Sequence, residues 1–297
     1  MYSVENISAK NRYLDFFEFR LTVHKFNTVK KIYSKNTRCL ANVCDFARSW
    51  HNYRVPTRFL DLNFYPENLQ SLLDYSLNSK NPSAFHFCSA DAVVQANKST
   101  ELKRIFLNST LICDSRYLEL YLKFRRRKIS QVRGTDFLKR FLSSEQFDPT
   151  ENFFIVANNQ IAEKLETLIK ESKKKGSSKV NIYVPGALNE WYSENENISR
   201  YLQNVEVKYA WIGIGSPKQF YLSDYLTKKF SIQTFSIGAA FDFALGTKAE
   251  ARKFLQRIGF EWIFRLISEP KRLWKRYLFG NARFLLLVLK DTFKINV

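Results

Sequence analysis

Short apolar runs alternate with longer amphipathic segments from residue 55 to about residue 246. Apolar runs that end at turn residues are typical of parallel strands buried on both faces. The amphipathic segments are typical of helices that cover the faces of such a sheet. The predicted strands are 59–62, 84–88, 110–113, 152–157, 180–184, 210–214 and 235–238. The pattern therefore predicts an α/β fold with a Rossmann-like parallel sheet, in two βα halves at 55–149 and 150–246.

Helical spacing is found between these strands and again near the end of the chain. The predicted helices include 66–77, 90–106 and 161–169. In the tail, residues 247–297, Ser268 is a candidate N-cap and Pro270 falls in the first helical turn, where its missing N–H costs nothing. Arg272, Lys275 and Arg276 then share one helical face. This basic, amphipathic pattern suits a membrane headgroup interface, and the alternative is a helix docked on the domain with its charges in water.

The charge is concentrated at the two ends of the chain. The formal net charge is +19, with eleven basic against four acidic residues in 1–58 and eleven against three in 252–297. Such ends favour a polyanionic partner, either anionic lipid or nucleic acid. No recognised nucleic-acid motif accompanies the charge, so binding of nucleic acid is the weakest hypothesis.

Three further features lead us to expect a globular protein of the cytoplasm. At 297 residues with 45% hydrophobic composition, it can bury a substantial core. The apolar run at 284–289 is too short to span a bilayer, and residues 1–10 lack the layout of a signal peptide. The four cysteines show no metal-ligand spacing and are expected to be reduced. Residues 1–54, rich in basic and aromatic residues, form an extension whose role the sequence leaves open.

Glycine turns after two of the strands are the first candidates for chemistry. Gly213, Gly215 and Pro217 follow the strand at 210–214, so Lys218 and Gln219 fall where a helix begins. Backbone N–H groups at a helix N-terminus attract anions such as phosphates. A turn that only connects two elements is the alternative interpretation.

Three stretches carry a family resemblance. They read Ile-Gly-Ser-Pro-Lys-Gln at 214–219, Gly-Ala-Ala-Phe-Asp-Phe-Ala-Leu-Gly at 238–246, and Glu-Trp-x-x-Arg-Leu-x-x-Glu-Pro-x-Arg-x-x-x-Arg-Tyr within 259–277. Over roughly 55–280 the chain resembles the WecG/TagA/CpsF glycosyltransferases. The resemblance implies a GT-E-like core and inverting, metal-independent transfer of a sugar from a UDP-sugar to a polyprenyl-diphosphate-linked saccharide, with no cofactor. It also implies a peripheral position on the inner face of the bacterial cell membrane, in polysaccharide, capsule or teichoic-acid synthesis.

The resemblance also suggests roles for individual residues. Asp114, at the end of the strand at 110–113, matches the family's proposed general base, which accepts the proton of the attacking hydroxyl. The residues expected to bind substrate are Ser89, Arg133, Lys218, Gln219, Asp242, Arg265, Arg272 and Arg276. Ser115 and Ser89 replace a glycine and an asparagine of the family pattern. The family has an arginine at the position of Gln131. Arg133 is expected to take the place of that arginine, because residues two apart on a strand share one face.

A second function stays open beside the active transferase. A degenerate relative would bind UDP-sugar within a polysaccharide assembly complex without turnover. The expected partners of the active enzyme are the UDP-sugar, the lipid-linked acceptor and an anionic membrane surface, and self-association is left open.

Overall fold

The computed structural model describes residues 56–79, 81–172, 180–186 and 191–293. The predicted extension at 1–54 lies outside these residues. Within the chain, Val55–Val297 forms one compact unit. Helices and strands alternate along this unit, as the hydrophobic pattern predicts.

Eight strands form one sheet. They are β1 Thr57–Phe59, β2 Leu62–Phe64, β3 Ala84–Cys88, β4 Thr110–Cys113, β5 Asn152–Ile155, β6 Asn181–Tyr183, β7 Tyr209–Ile212 and β8 Gln233–Ser236. Their order in the sheet is β1-β2-β4-β3-β8-β7-β5-β6. Only the pairing of β1 with β2 is antiparallel, and all other pairings are parallel. The prediction of an α/β fold with a Rossmann-like parallel sheet is confirmed.

Twelve described helices accompany the sheet. They are α1 Leu69–Asn78, α2 Ala90–Lys98, α3 Thr100–Leu107, α4 Arg116–Phe124, α5 Gly134–Leu142, α6 Asn159–Ser172, α7 Trp191–Leu202, α8 Lys218–Phe230, α9 Ala240–Ala244, α10 Lys253–Ile258, α11 Glu261–Ser268 and α12 Pro270–Phe293. A short 3-10 helix, Pro149–Glu151, precedes β5.

The strands bury side chains on both faces, which explains their continuous apolar runs. On one face, Phe154 and Trp211 pack with α1, α5, α6 and α9. On the other face, Phe153 and Ala210 pack with α7 and α8, while side chains of β1 to β4 pack with α2, α3 and α4. The sheet is thus the middle of three layers, and only the loops at its two edges are open to build a site.

Four neighbouring strands carry the loops that matter most. In the order β4-β3-β8-β7 they are parallel, so their carboxyl ends share one edge of the sheet. Neighbouring strands lie about 4.8 Å apart, so these four ends span roughly 14 Å. The loops at these four strand ends are therefore close enough to form one site.

Two element predictions near the start of the domain were wrong. The run at 59–62 was predicted as one strand, but Leu60 has a positive φ of 51° and Phe59 pairs with Leu62 across a two-residue turn. The single helix predicted at 90–106 is two helices, because Ser99 ends α2 and its hydroxyl accepts a hydrogen bond from the N–H of Leu102 at the start of α3. At both breaks the periodic spacing of apolar residues continues, so the hydrophobic pattern does not reveal them.

The tail helices pack on the domain. Phe284 of α12 is buried, and its ring lies 5.9 Å from that of Phe59. The prediction that Ser268 caps this helix was wrong, because Ser268 ends α11 and its hydroxyl bonds back to the carbonyl of Phe264. The backbone carbonyl of Glu269 receives the first hydrogen bond of α12, from Leu273. Among the described helices, none is long and apolar enough to cross a membrane.

Candidate functional site

The turn between β7 and α8 is the first part of the site. Gly215 has a φ of 90°, a left-handed conformation that favours glycine, and no heavy atom lies within 4 Å of the position that its Cβ would take. Helix α8 begins at Lys218, as the sequence predicts. The open turn therefore leads directly into the N-terminus of α8, a helix of 13 residues. A helix N-terminus favours an anion.

Gln219 connects this turn to the neighbouring loop. Its side chain is 3% exposed, and its Oε1 would lie 3.3 Å from a Cβ placed on Gly238, which follows β8. Among the described residues, no group donates a hydrogen bond to this buried oxygen. An amide oxygen left without a donor in a buried position costs free energy, so it suits a ligand that donates to it.

Close packing holds the two glycine loops together. A Cβ on Gly213 would lie 2.3 Å from a ring carbon of Phe241, so only glycine fits there. Gly238 has a φ of 58°, and its N–H bonds to the carbonyl of Ile212 at the end of β7. The loops after β7 and β8 are therefore one packed unit, which aligns the motifs at 214–219 and 238–246.

Asp114 follows β4, which lies two strands from β8, and it is at the same edge of the sheet. Its N–H bonds to the carbonyl of Cys88 on β3, and its own carbonyl accepts a hydrogen bond from the side chain of Gln131. The backbone of Asp114 is thus fixed, while its side chain is only partly buried. Among the described residues, none donates a hydrogen bond to its carboxylate. This carboxylate therefore has unused capacity to accept hydrogen bonds.

The surroundings of Asp114 adjust its acidity. The pKa of Asp114 is raised to about 7, and burial is the largest cause of this rise. The negative charge of Glu261 adds to the rise, and the positive charges of Arg265 and Arg133 oppose it. A smaller upward contribution comes from Asp136. A carboxyl group that titrates near neutral pH is suited to general-base catalysis in the cell.

Arg133 occupies a different position from the one predicted. It does not lie on a strand but is the N-cap of α5, directly after a segment in which Val132 bonds to the end of β4. Its guanidinium lies 3.5 Å from carboxylates of both Glu250 and Glu261 and donates to the side-chain oxygen of Gln256 at 2.9 Å. Arg133 is therefore engaged with α10 and α11, and its charge still reaches Asp114.

Arg265 is the second cation beside Asp114. It forms an ion pair with Glu261 one turn earlier on α11, and its guanidinium lies over the ring of Phe243 at 4.4 Å. Its Nε is buried and has no hydrogen-bond partner among the described residues. An arginine held in this way keeps donor capacity for an anionic oxygen.

Asp242 links the loop after β8 to the tail. Its carboxylate lies 3.5 Å from the ammonium group of Lys248, which also lies 3.2 Å from a carboxylate oxygen of Glu269, between α11 and α12. The hydroxyl of Thr247 also donates to the Asp242 backbone carbonyl. Asp242 thus orders the loop after α9, and one of its carboxylate oxygens is already paired.

Ser89 and Ser115 both act as helix caps where the family pattern has other residues. The hydroxyl oxygen of Ser89 accepts from the N–H of Ala92 at the start of α2, and that of Ser115 accepts from Leu118 at the start of α4. Each hydroxyl keeps its proton for donation. Ser89 follows β3, next to the strand that carries Asp114.

The remaining two predicted residues lie on α12. The backbones of Arg272 and Arg276 belong to this helix, and their side chains lie outside the described part of the structure.

Two site residues have no role in the sequence analysis. Glu261 is part of the Glu-Trp-x-x-Arg motif, but its position beside Asp114 depends on how α11 packs. Gln95 on α2 accepts a hydrogen bond from the hydroxyl of Ser216 at 3.0 Å and so fixes the turn before α8. A polar residue on a helical face gives no local signal for such a contact.

A carboxylate at one strand end and a glycine turn before a helix N-terminus at another lie on one edge of a parallel sheet, which is where α/β enzymes commonly bind their ligands. The family model described as "Glycosyl transferase WecG/TagA/CpsF family" matches residues 57–296. The chain belongs to this family of glycosyltransferases, which act in the synthesis of cell-surface polysaccharides.

Proposed function

We propose that the protein is an inverting, metal-independent glycosyltransferase that moves a sugar from a UDP-sugar to a polyprenyl-diphosphate-linked saccharide on the inner face of the bacterial cell membrane. The observation that carries the proposal is the position of Asp114. It shares one sheet edge with the two packed glycine loops, and cationic side chains of α5 and α11 lie beside it.

The chemistry needs one base and a stabilised leaving group. Asp114 accepts the proton of the acceptor hydroxyl while the hydroxyl oxygen forms a bond to the anomeric carbon. The bond from that carbon to the UDP oxygen breaks at the same time, and the electron pair leaves with UDP. Attack on the face opposite the leaving group inverts the anomeric carbon.

The donor site is assigned to the loops after β7 and β8. The N-terminus of α8, with Lys218 at its first position, faces the charge that develops on the diphosphate. The unpartnered oxygen of Gln219 accepts a hydrogen bond from the donor, for example from the uracil N–H or a sugar hydroxyl.

The acceptor diphosphate is assigned to Arg265, Arg272 and Arg276. Arg265 supports this through its buried, unpartnered Nε beside Asp114. A diphosphate held there places the first sugar of the acceptor near the base. Arg133, with its several ion pairs, is assigned to holding α10 and α11 in place and no longer to direct diphosphate binding.

The membrane contact is assigned to α12. Its exposed large apolar side chains are Trp274, Leu278, Phe279, Leu285, Leu286, Leu289 and Phe293. At 100° per residue they lie on one side of the helix, opposite the buried Leu273 and Phe284. An apolar helix face accompanied by Lys271 and Lys275 suits an anionic bilayer surface.

Transfer assays with Asp114→Asn test the proposal. The full-length protein is incubated with a panel of UDP-sugars and a lipid-linked acceptor, and UDP binding is followed by thermal shift. The rate is expected to fall about 10² to 10⁴-fold while UDP binding persists. Asp136→Asn is the matched control, since this neighbouring carboxylate is half exposed and contributes less to the site. EDTA is expected to leave the rate unchanged.

Each outcome of these assays has a distinct meaning. Wild-type rates in Asp114→Asn overturn its assignment as the base. A protein that binds UDP but transfers no sugar to any acceptor is the degenerate relative. Loss of activity with EDTA that a divalent cation restores contradicts the metal-independent mechanism.

A further inference from the structure

The most exposed large apolar side chain in the described part of the chain is that of Phe124, which is 85% exposed. It is the last residue of α4 and the second residue of the segment Lys123-Phe-Arg-Arg-Arg-Lys128, here called the Phe124 loop. Neither the site nor the proposed membrane contact of α12 accounts for this loop. An exposed phenylalanine among five basic residues is unfavourable in water, and a solvated basic surface does not need it.

The loop has a fixed backbone. The N–H groups of Arg125, Arg126 and Arg127 bond to carbonyls in the last turn of α4, and Arg126 has a left-handed φ of 56°. The carbonyl of Lys128 accepts a hydrogen bond from the hydroxyl of Thr57. A tightly turned loop that is bonded at both ends presents its side chains in a defined direction.

The charges of the loop divide into two groups. Lys123 pairs with Glu119 at 2.7 Å, and Arg127 pairs with Asp291 of α12 at 3.4 Å. Arg125, Arg126 and Lys128 form no ion pair with any described residue. In the sequence, these three cations lie within four residues of the exposed Phe124.

The loop adjoins the apolar face of α12. The hydroxyl of Tyr121, one turn before Phe124, donates to the carboxylate of Asp291 at 2.7 Å and lies 3.0 Å from the hydroxyl of Thr292. The exposed Leu289 and Phe293 belong to the same turn of α12 as these contacts. By the 100° spacing, Asp291 lies on the docked side of α12 with Phe284, whereas Thr292 lies at the border of the exposed apolar side. The Phe124 loop therefore lies beside the end of α12, next to that side.

We propose that the Phe124 loop is a second membrane contact, in which Phe124 inserts into the interface of an anionic bilayer and Arg125, Arg126 and Lys128 bind lipid headgroups. The inference rests on the proposed membrane association of α12 and deepens it. One contact along a helix leaves rotation about the helix axis free, and a second contact beside it fixes how the protein lies on the membrane. The orientation of the acceptor site toward the lipid is then set by two contacts.

Single-stranded nucleic acid is the competing partner for a basic loop with an aromatic ring. Lipid is favoured because the adjoining surface of α12 is mainly aliphatic, with Leu278, Leu285, Leu286 and Leu289 exposed. Bases stack on aromatic rings and arginine planes, and leucine side chains offer no such platform. A bilayer interface accommodates both leucine and phenylalanine side chains.

Co-sedimentation with vesicles of phosphatidylglycerol and phosphatidylcholine tests the inference. Phe124→Ser is expected to weaken binding of the full-length protein about tenfold. The pair Arg125→Gln and Arg126→Gln is expected to weaken it about thirtyfold at low salt, since each basic residue contributes about fivefold near an anionic surface. UDP binding is expected to be unchanged in both variants, because the loop lies outside the donor site.

Matched controls are found on α6, which follows β5 near the other end of the sheet. Leu168 is 41% exposed there, and Lys164 and Lys170 are exposed basic residues. Leu168→Ser removes an exposed apolar side chain, and the pair Lys164→Gln and Lys170→Gln removes two exposed cations, of which Lys170 is paired with Glu166 at 2.7 Å. They are expected to bind vesicles within about twofold of the wild type.

The outcomes separate this inference from the proposal on which it rests. If the wild-type protein ignores anionic vesicles, both are wrong. If the pair Leu285→Glu and Leu286→Glu abolishes binding while the loop variants bind like the wild type, the second contact is wrong and the contact of α12 stands. Equal losses in the α6 controls also overturn the second contact. RNA binding that is lost in the loop variants, with vesicle binding unchanged, assigns the loop to nucleic acid.

Discussion

The guanidinium of Arg133 lies 3.5 Å from the carboxylate of Glu261, which joins the start of α5 to the start of α11. Glu261 also pairs with Arg265, so one carboxylate holds two arginines. All three charges act on Asp114. The tail therefore contributes to the environment of the candidate base and is part of the site.

Replacing Glu261 is expected to change the pH dependence of transfer. Its negative charge raises the pKa of Asp114, so Glu261→Gln lowers that pKa and moves the acidic limb of the kcat/KM profile to lower pH. The control is Glu250→Gln, because Glu250 also pairs with Arg133 but is not among the charges that shift Asp114. An acidic limb that stays in place, or moves upward, contradicts the assigned role of Glu261.

Asp114 is expected to reduce stability at neutral and higher pH. The pKa of Asp114 is raised from 3.8 to about 7, mainly by burial, so the folded state binds this proton more tightly than the unfolded state does. The contribution of Asp114 to stability is therefore present at pH 4 and is lost as the pH rises to 7, by at most about 4 kcal/mol. Urea unfolding at pH 5 and pH 8 measures it. Asp114→Asn is expected to stabilise the protein at pH 8 relative to the wild type, and an equal difference at both pH values contradicts the prediction.

Gly238→Ala is expected to weaken UDP binding. The left-handed backbone at Gly238 costs an alanine about 1–2 kcal/mol, and the new methyl group presses on the amide of Gln219. Gly246→Ala is the matched control, since Gly246 has a φ of 65° but open space around its Cβ position. Thermal unfolding should show similar losses for both variants. Titration calorimetry should show a loss of affinity, about tenfold, for Gly238→Ala alone; equal affinities in the two variants would remove Gln219 from the donor site.

Phe284 and Leu285 are expected to differ sharply in their effect on stability. Phe284 is 6% exposed in the core, whereas Leu285, the next residue on α12, is 59% exposed. Phe284→Ala should cost about 3–5 kcal/mol and Leu285→Ala less than about 0.5 kcal/mol, as measured by denaturant unfolding in the absence of lipid. A small loss for Phe284→Ala means that α12 is detachable from the domain.

The amino-acid sequence by itself determined the strands at 84–88 and 110–113, the start of α8 at Lys218, and the α/β class. These features depend on local burial patterns and on turn residues, which a short window of sequence contains. The position of Asp114 at a strand end followed from the same pattern. The motifs at 214–219, 238–246 and 259–277 determined the family, because specific residue spacings persist where the surrounding sequence diverges.

Only the tertiary structure decided which side chains meet. The strand order places β8 between β3 and β7, which brings loops from distant parts of the chain to one edge. Arg133 was predicted on a strand facing a diphosphate, but more than a hundred residues later the chain returns with Glu250 and Glu261 to bind it. Long-range contacts of this kind depend on how whole elements pack, and a charged residue on a helix face has the same local pattern whether it faces water or a carboxylate on another element.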